Sequence, residues 1–358
     1  MIYLILSKQI HLIQQNFINN MKLLRKILFP FSLIYFLVTA IRNFCFDTGI
    51  LKSYEFDIPI IAVGNLSVGG TGKSPQIEYL IRLLSPKYKI ATLSRGYKRK
   101  SEGFVLANET CTAEIIGDEP FQFYKKFPEI LVAVDANRKN GIEQLLNSKN
   151  KPEIILLDDA FQHRKVKASL YILLTTYNDL YADDFVLPVG NLRESSIGAK
   201  RAQIVIVTKC PKNISIVERS EISKKLHLAE NQKLFFSYID YDDFVFSDSD
   251  KIAVSEIKSK TKILIAGIAK PKPFFDFLNS GNDIVMEFAD HHDFNNKEIE
   301  VIIEKATGKL IVTTEKDFVR LSDKLPANQL FYLPIKSDFV FDGSIFDGTI
   351  LDFMPIRK

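Results

Sequence analysis

The chain has 358 residues, of which 46% are apolar and 25% charged, and its formal net charge is only +4. This balance excludes a disordered chain, and the small net charge gives no argument for nucleic-acid binding. The length allows two domains of ordinary size. Three cysteines without CxxC spacing exclude a cysteine-based metal site and are typical of a reducing compartment.

The N-terminal region divides into a tail and an apolar segment. Residues 1–20 precede a second methionine, Met21, and we interpret them as a tail or a mis-assigned start. The run 27–41 is mostly apolar and flanked by basic residues, but its 15 residues are fewer than the roughly 20 that span a bilayer. We predict that residues 21–57 form a helical region lying on the membrane face. A signal peptide and a buried core helix are the alternatives, and the nucleotide motif that follows disfavours the first.

From residue 58 onward, short β-branched runs alternate with segments of helical period. The runs at 58–63, 89–93, 130–134, 153–157, 168–174 and 203–208 are apolar throughout, which is typical of parallel strands covered on both faces. The sequence therefore predicts an α/β fold, with a mostly parallel sheet and helices on both faces, over residues 58–230. A linker at 235–250 belongs to a second, smaller α/β domain that we place within residues 231–358.

The stretch VGNLSVGGTGKSPQ follows the first of these strands and leads into a helical segment. A strand, a glycine-rich turn ending in Gly-Lys-Ser and a helix are the context of a phosphate-binding P-loop. Glycines let backbone amides converge on phosphate oxygens, and the helix N-terminus adds the positive end of its dipole. The predicted nucleotide-binding residues are Ser67, Val68, Gly69, Gly70, Thr71, Gly72, Lys73 and Ser74.

Within this stretch, Lys73 is predicted to reach the β- and γ-phosphates of ATP, and the Ser74 hydroxyl is predicted to bind Mg²⁺. The domain is then P-loop NTPase-like. Ser67 stands where the common pattern has glycine. Val68 stands where partitioning ATPases carry a signature lysine, which disfavours that class. A glycine-rich turn with a capping serine is the structural alternative.

Paired acids at the end of another predicted strand fit the same site. Asp158 and Asp159 follow the apolar run 153–157, where a P-loop needs a carboxylate to position the metal, and His163 could face the same cleft. The predicted metal-binding residues are Ser74, Asp158 and Asp159.

Four further clusters lie in loops that follow predicted strands. They are SRGY with Arg95, GDEP with Asp118 and Glu119, PVGNLRE with Arg193 and Glu194, and DHH at residues 290–292, of which at most one histidine is expected to act. Each has a structural alternative, such as a helix cap or a solvent-facing turn. Because loops after parallel strands meet at one edge of a sheet, we expect the first three to share a ligand-binding rim.

Taken together, these stretches resemble one family, the tetraacyldisaccharide 4′-kinases of lipid A biosynthesis. The matching stretches run in order from residue 64 to residue 317, and they are GNLSVGGTGKSP, SRGY, GDEP, DDAFQHR, PVGNLRE, AGIAKPKPFF, DHHDF and TTEKD. Serine in place of the first P-loop glycine is that family's own variant. The chain departs from the family at Ala160, where glycine is usual, and at Asn191, where proline is common.

The resemblance implies a kinase that moves the γ-phosphate of ATP to the 4′-hydroxyl of tetraacyldisaccharide 1-phosphate, giving lipid IVA. It implies a membrane-associated protein on the cytoplasmic face of the inner membrane of a Gram-negative bacterium. It also implies that Asp118 is the catalytic base, assisted by His291. The substrate cleft is predicted to be lined by Arg95, Glu119, His163, Arg193 and Glu194. The predicted partners are the lipid A disaccharide 1-phosphate and a membrane surface, with no nucleic acid and no protein partner.

Two other classes of function remain open on the residues alone. A P-loop NTPase that uses hydrolysis as a switch would turn over ATP without a lipid acceptor. A kinase for a soluble small molecule would use the apolar N-terminal segment as core and would stay soluble without detergent.

Overall fold

Two β-sheets, each flanked by α-helices, make up the protein in a computed structural model that describes residue 25, residues 27–290 and residues 292–354. The predicted α/β fold class is confirmed. The predicted tail, residues 1–20, lies outside the described residues.

The strands of the described chain are β1 (Ile60–Asn65), β2 (Ile90–Ser94), β3 (Val105–Leu106), β4 (Leu131–Val134), β5 (Ile154–Asp158), β6 (Leu170–Thr176), β7 (Ile204–Thr208), β8 (Lys233–Tyr241), β9 (Phe244–Phe246), β10 (Lys251–Ala253), β11 (Lys262–Ala266), β12 (Ile284–Glu287), β13 (Leu310–Thr314), β14 (Leu330–Leu333) and β15 (Ile335–Phe339). The α-helices are α1 (Phe29–Asp47), α2 (Lys73–Leu84), α3 (Ala113–Ile116), α4 (Asp118–Lys126), α5 (Arg138–Leu146), α6 (Ile216–Leu226), α7 (Val254–Ser259), α8 (Lys272–Leu278), α9 (Asn296–Lys305), α10 (Glu315–Leu321) and α11 (Gly343–Asp352), with short 3₁₀ turns at Tyr181–Asp183 and Ser196–Arg201.

The larger sheet has nine strands in the order β15-β8-β7-β6-β1-β5-β2-β4-β3. Among these described strands, all neighbours pair in parallel except β8 with β15 and β3 with β4. Every residue of β1, β2, β5 and β7 is buried, because these strands are apolar nearly throughout and helices cover both faces. The six predicted strands of this region are confirmed, each within a few residues of its predicted bounds. Their carboxyl ends meet at one edge, which we call the larger rim.

The smaller sheet has six strands in the order β10-β9-β14-β13-β11-β12. Strands β14, β13, β11 and β12 pair in parallel, and β9 runs antiparallel to both of its neighbours. Helix α9 begins with a capping box, in which the Asn295 side chain accepts a hydrogen bond from the Glu298 backbone amide and the Glu298 side chain accepts one from the Asn295 amide.

The chain returns to the larger sheet after the smaller one is complete. Strands β8 and β15 pair with each other, and β8 also pairs with β7. Helix α11 then covers α2, and its Phe346 and Ile350 are fully buried in one cluster with Ile77. The Tyr79 hydroxyl of α2 donates a hydrogen bond to Asp347, at 2.8 Å. The smaller unit, residues 244–333, is thus an insertion between two strands of the larger sheet.

Two predictions about domain organisation differ from this arrangement. The predicted linker at 235–250 is wrong, since most of it forms β8 and β9. Phe235 and Phe236 of this stretch are buried in the core of the larger unit, whereas a linker would leave them exposed. The boundary predicted after residue 230 would also assign β8, β15 and α11 to the smaller domain, whereas they pack on the larger sheet.

Helix α1 lies against the larger rim with most of its side chains exposed. Its Ser32 hydroxyl donates to the Val186 carbonyl at 2.6 Å, and the Tyr35 hydroxyl donates to the Arg193 carbonyl at 2.9 Å. By length and composition the helix could cross a membrane. Only 11% of its most apolar 18-residue stretch is buried against the rest of the described chain. The exposed apolar side chains include Phe31, Leu33, Ile34, Leu37, Val38, Ile41 and Phe44.

Candidate active site

The predicted nucleotide-binding stretch, Ser67 to Ser74, joins the end of β1 to the first turn of α2. Gly69 has a φ of +112° and Gly72 a φ of +86°, conformations that side-chain-bearing residues rarely adopt. Gly72 precedes the first helical residue, Lys73, so the loop closes onto the N-terminus of α2. This is the local geometry that a P-loop requires.

Lys73 and Ser74 both contact acids that other segments of the chain bring to the larger rim. The Lys73 ammonium lies 3.5 Å from Asp159 and 3.3 Å from the Asn65 side-chain oxygen. The Ser74 hydroxyl donates to Glu119 at 3.2 Å. A cation, a hydroxyl and two carboxylates therefore lie together at the start of one helix.

The paired acids after β5 differ in their electrostatics. Burial and, next, the nearby charge of Glu119 raise the pKa of Asp158 to about 7. Burial also acts on Asp159, but the charges of Lys73 and Arg193 outweigh it and lower its pKa. One carboxyl of the pair is thus held ionised, while the other gains its charge near neutral pH.

Asp118 and Glu119 form the first turn of α4, and each is contacted by a cation from α10 in the smaller unit. The Arg320 guanidinium binds Asp118, with Nε at 3.1 Å from the carboxylate. Lys316 binds Glu119 at 2.8 Å. Burial raises the pKa of Glu119, but the charge and hydrogen bond of Lys316, together with Lys73 and Ser74, outweigh burial and lower the pKa overall. The other predicted catalytic residue, His291, lies outside the described residues.

Arg193 and Glu194 are adjacent in sequence but point to different partners. One Arg193 nitrogen lies 3.0 Å from both oxygens of Asp159, at the site. Glu194 is buried and accepts hydrogen bonds from Asn43 of α1 at 2.6 Å and from Arg201 at 2.8 Å. Glu194 therefore ties α1 to the rim, and its contacts are structural in this conformation.

The two remaining predicted cleft residues lie at the periphery of this cluster. The His163 Nε2 atom lies 3.3 Å from the Ala136 carbonyl, and burial lowers the pKa of this histidine, with the Arg138 charge lowering it further. Arg95 follows β2 at the same rim and is exposed. The structure thus brings most of the predicted residues to one rim, as the strand ends required.

Comparison with known proteins identifies the family. The chain matches the family described as Tetraacyldisaccharide-1-P 4′-kinase over residues 24–354. It belongs to that family. It is 64% identical over 334 residues to the tetraacyldisaccharide 4′-kinase of Flavobacterium johnsoniae, covering 93% of this chain and 98% of the relative. It is 45% identical over 358 residues to the protein of the same name from Phocaeicola vulgatus, covering 95% and 97%.

A solved structure shows the same fold. The crystal structure of an "apo" form of LpxK from Aquifex aeolicus in complex with ATP aligns with a TM-score of 0.75 at 30% identity. The alignment covers 93% of this chain and all of that one. The resemblance drawn from the sequence motifs is therefore confirmed, and the chain is a member of the kinase family.

Buried polar atoms at the kinase site fit a bound cation and nucleotide. Within the described residues, one oxygen of Asp158 and the Thr71 hydroxyl are buried without a hydrogen-bond partner. No group of three His, Cys, Asp or Glu side chains in that part of the chain could hold a metal ion. A divalent cation here would need phosphate oxygens as further ligands, which is the usual way that Mg²⁺ is bound in nucleotide sites.

Several contacts at the kinase site were not predicted from the sequence. The Thr208 hydroxyl donates to the Thr71 carbonyl at 2.8 Å, and the Lys209 ammonium donates to the Gly70 carbonyl at 2.6 Å. Thr208 ends β7 and Lys209 follows it, so a Thr-Lys pair at the end of an apolar strand is the sequence signal for these contacts. Lys316 lies in the TTEKD stretch and Arg320 follows it by three residues. The sequence motifs assign no role to either residue.

Proposed function

We propose that this protein transfers the γ-phosphate of ATP to the 4′-hydroxyl of tetraacyldisaccharide 1-phosphate, the lipid A disaccharide. The observation that carries the proposal is membership of the 4′-kinase family over nearly the whole chain. The site supports it, because the P-loop lysine and the acid pair of α4 lie at the same rim. The product is lipid IVA, a bisphosphorylated disaccharide.

The nucleotide is held by the loop after β1. The amides of residues 67–74 and the Lys73 ammonium bind the phosphate tail, and their positive charge offsets the charge of the transferring group. Ser74, Asp158 and Asp159 would hold Mg²⁺, which would neutralise part of the charge on the transferring phosphoryl group. Arg193 orients Asp159, because one of its nitrogens lies 3.0 Å from both carboxylate oxygens.

Asp118 acts as the general base in this proposal. A sugar hydroxyl has to lose its proton as the phosphoryl group arrives, and a carboxylate positioned by other groups can accept it. Asp118 begins α4, next to Glu119, which contacts Ser74 at 3.2 Å. His291, in the DHH stretch, assists the base. Arg95, Glu119, His163 and Glu194 complete the substrate cleft directly or through their neighbours.

Helix α1 brings the site to the bilayer in this proposal. Large apolar side chains of this helix, such as Leu37 and Ile41, face solvent, and the helix is tied to the rim through Tyr35 and Asn43. A lipid acceptor could then keep its acyl chains in the bilayer while its sugar enters the cleft. The location would be the cytoplasmic face of the inner membrane of a Gram-negative bacterium, where ATP is present.

Substitutions on the exposed face of α1 test this membrane association. Leu37→Glu and Ile41→Glu change side chains that are 49% and 62% exposed, so folding should be retained. The protein should move from the membrane to the soluble fraction. Ile303→Glu on α9, where the side chain is 44% exposed, is the matched control and should not change partitioning. Unchanged partitioning of both α1 variants would rule out this role.

The catalytic proposal is tested by supplying radiolabelled ATP with tetraacyldisaccharide 1-phosphate in detergent and isolating the lipid. We expect a labelled lipid whose new phosphate lies on the 4′-oxygen. ATP turnover that is unaffected by the lipid would instead indicate a hydrolytic switch. Transfer to soluble sugars alone would indicate a kinase of another class.

A further inference from the structure

The contact between Arg320 of the smaller unit and Asp118 of the larger unit points to a residue that no motif assigned. We infer that Arg320 is a positioning residue for phosphoryl transfer, which fixes the Asp118 carboxylate in its catalytic orientation. The inference rests on the proposed function, since it presumes that Asp118 is the base of the kinase reaction.

The geometry of the contact is that of an orienting interaction. Two Arg320 nitrogens, Nε and one terminal nitrogen, reach the same oxygen of Asp118. The side chains are 13% and 28% exposed, so water has limited access to the pair. A planar guanidinium fixes direction as well as distance, which the flexible ammonium of a lysine does not.

Arg320 is itself held by a buried acid. Its other terminal nitrogen lies 3.4 Å from Asp317, whose side chain is fully buried. Asp317 accepts hydrogen bonds from the Gly267 amide at 2.9 Å and from the Thr314 hydroxyl at 2.6 Å. These contacts join the ends of β11 and β13 to the guanidinium. The sheet of the smaller unit therefore holds Arg320 in place through Asp317, and Arg320 in turn orients Asp118.

The same two helices carry a second bridge that offers a control. Glu315 of α10 binds Lys126, the last residue of α4, at 2.6 Å. Lys126 lies eight residues after Asp118, which is about 12 Å along a helix. A change at Glu315 therefore weakens the docking of α10 on α4 without touching Asp118. A residue that acted only by docking the two units would behave like Glu315.

The first experiment compares Arg320→Gln and Arg320→Lys with Glu315→Gln in the lipid phosphorylation assay. Displacing a catalytic group by about 1 Å costs up to roughly 10²-fold in rate. We expect Arg320→Gln to lower kcat by about 10- to 100-fold with the KM for ATP changed less than about twofold, because the nucleotide loop is untouched. Arg320→Lys should recover part of the loss, and Glu315→Gln should stay within about threefold of wild type.

The second experiment asks whether Arg320 acts through Asp118. In an Asp118→Asn background there is no carboxylate to orient, so Arg320→Gln should cost less than about twofold more. A purely structural role would give the same loss in both backgrounds. Circular dichroism and binding of a fluorescent ATP analogue confirm that each variant is folded. If Arg320→Gln does not fold, the same cycle is measured with Arg320→Lys.

Three results would overturn the inference. They are equal losses in the two backgrounds, a loss in Glu315→Gln as large as in Arg320→Gln, and a rise in kcat, which would mean that Arg320 restrains the base. A wild-type protein that fails to phosphorylate the lipid would instead overturn the proposed function, and this inference with it. If the wild type phosphorylates the lipid and Arg320→Gln is equally active, the inference is wrong but the proposed function stands.

Discussion

The two sheets end their central strands in the same way but use the ends differently. In the larger sheet, Gly64 near the end of β1 lets the loop after β5 approach, and the loop that follows β1 leads into the N-terminus of α2. In the smaller sheet, Gly267 follows β11, and its amide already donates to the buried carboxylate of Asp317. The smaller sheet thus contains its own anion at the place where the larger one is built to receive one.

This difference shows why similar architecture carries chemistry in one unit and support in the other. With Asp317 in place, the end of β11 is satisfied internally, and α10 turns its cations outward. Lys316 and Arg320 then reach the acids of α4 in the larger unit. In the proposed function, the larger unit holds the nucleotide and the reacting groups. The smaller unit supplies the cations that contact and orient the acids of α4.

The largest expected effect comes from removing the proposed base. Asp118→Ala should lower turnover by about 10²–10⁴-fold, the usual contribution of general-base catalysis, while ATP binding is nearly retained. Radiolabelled lipid formation measures the first and nucleotide titration the second. Asp276→Ala, at an exposed acid of α8 paired with Lys272, is the control and should be silent. Full turnover without Asp118 would remove it from the mechanism.

Replacing the P-loop lysine tests whether the larger rim is the ligand-binding one. Lys73→Met should lower kcat/KM by about 10²–10³-fold, because a preorganised cation at the transferring phosphate is lost. Lys167→Met removes an exposed lysine paired with Glu55 and should remain within about twofold. Equal activity of the two variants would contradict the assignment of the loop after β1.

Adding a methyl group at each strand-end glycine compares the two rims directly. A Cβ at Gly64 would lie 2.7 Å from the Phe161 Cβ, so Gly64→Ala should destabilise the protein by about 1–3 kcal/mol. A Cβ at Gly267 would lie 3.1 Å from Asp317, and Gly267→Ala should cost about 1 kcal/mol.

Chemical denaturation measures both changes. Gly348→Ala in α11 is the control, because nothing lies within 4 Å of its Cβ and alanine favours a helix. That variant should be slightly stabilised. A Gly267→Ala protein less stable than Gly64→Ala would reverse the order of packing that we infer for the two rims.

The smallest expected effect is a pH dependence at the bridge between the units. Burial, with the nearby charge of Glu78, raises the pKa of Glu315 to about 7. The folded state therefore holds this proton more tightly than the unfolded chain, and the stability it contributes is full below about pH 4.5 and lost as the pH rises towards 7.

Glu315→Gln should remove this component, which we expect to be on the order of 1 kcal/mol. Free energies of unfolding measured between pH 5 and pH 8 should then fall less steeply in the variant than in the wild type. Identical slopes would mean that Glu315 is already ionised at the lower pH in the folded protein.

Local patterns were enough to predict the strands of the larger sheet and the nucleotide loop. Each depends on a continuous stretch, such as an apolar run or the glycines before Lys73, and the loop positions follow from the ends of parallel strands. The acid pair Asp158 and Asp159 was found for the same reason. Glu194 was expected in the cleft, but its contacts with Asn43 and Arg201 could not be read from the adjacent Arg–Glu pair.

Contacts between distant parts of the chain could not be predicted from these patterns. Arg320 and Asp118 are separated by 202 residues, and nothing in the segment around Arg320 indicates a contact with the GDEP stretch. Strand β15 returns to the larger sheet by pairing with β8, and the whole inserted unit separates these two strands in the sequence. The region 235–250 has the composition of a linker because it is rich in Tyr, Asp and Ser. The residues that bury Phe235 and Phe236 are distant in the sequence.

The late return of α11 to the larger unit has a consequence for how the protein is made. Helix α2, which begins at Lys73, is covered by a helix that is translated much later, since the paired residues Tyr79 and Asp347 are 268 positions apart. Until then the nascent chain exposes the apolar side of α2, the kind of surface on which chaperones act. A chain interrupted before α11 would therefore leave the helix that follows the nucleotide loop without its cover.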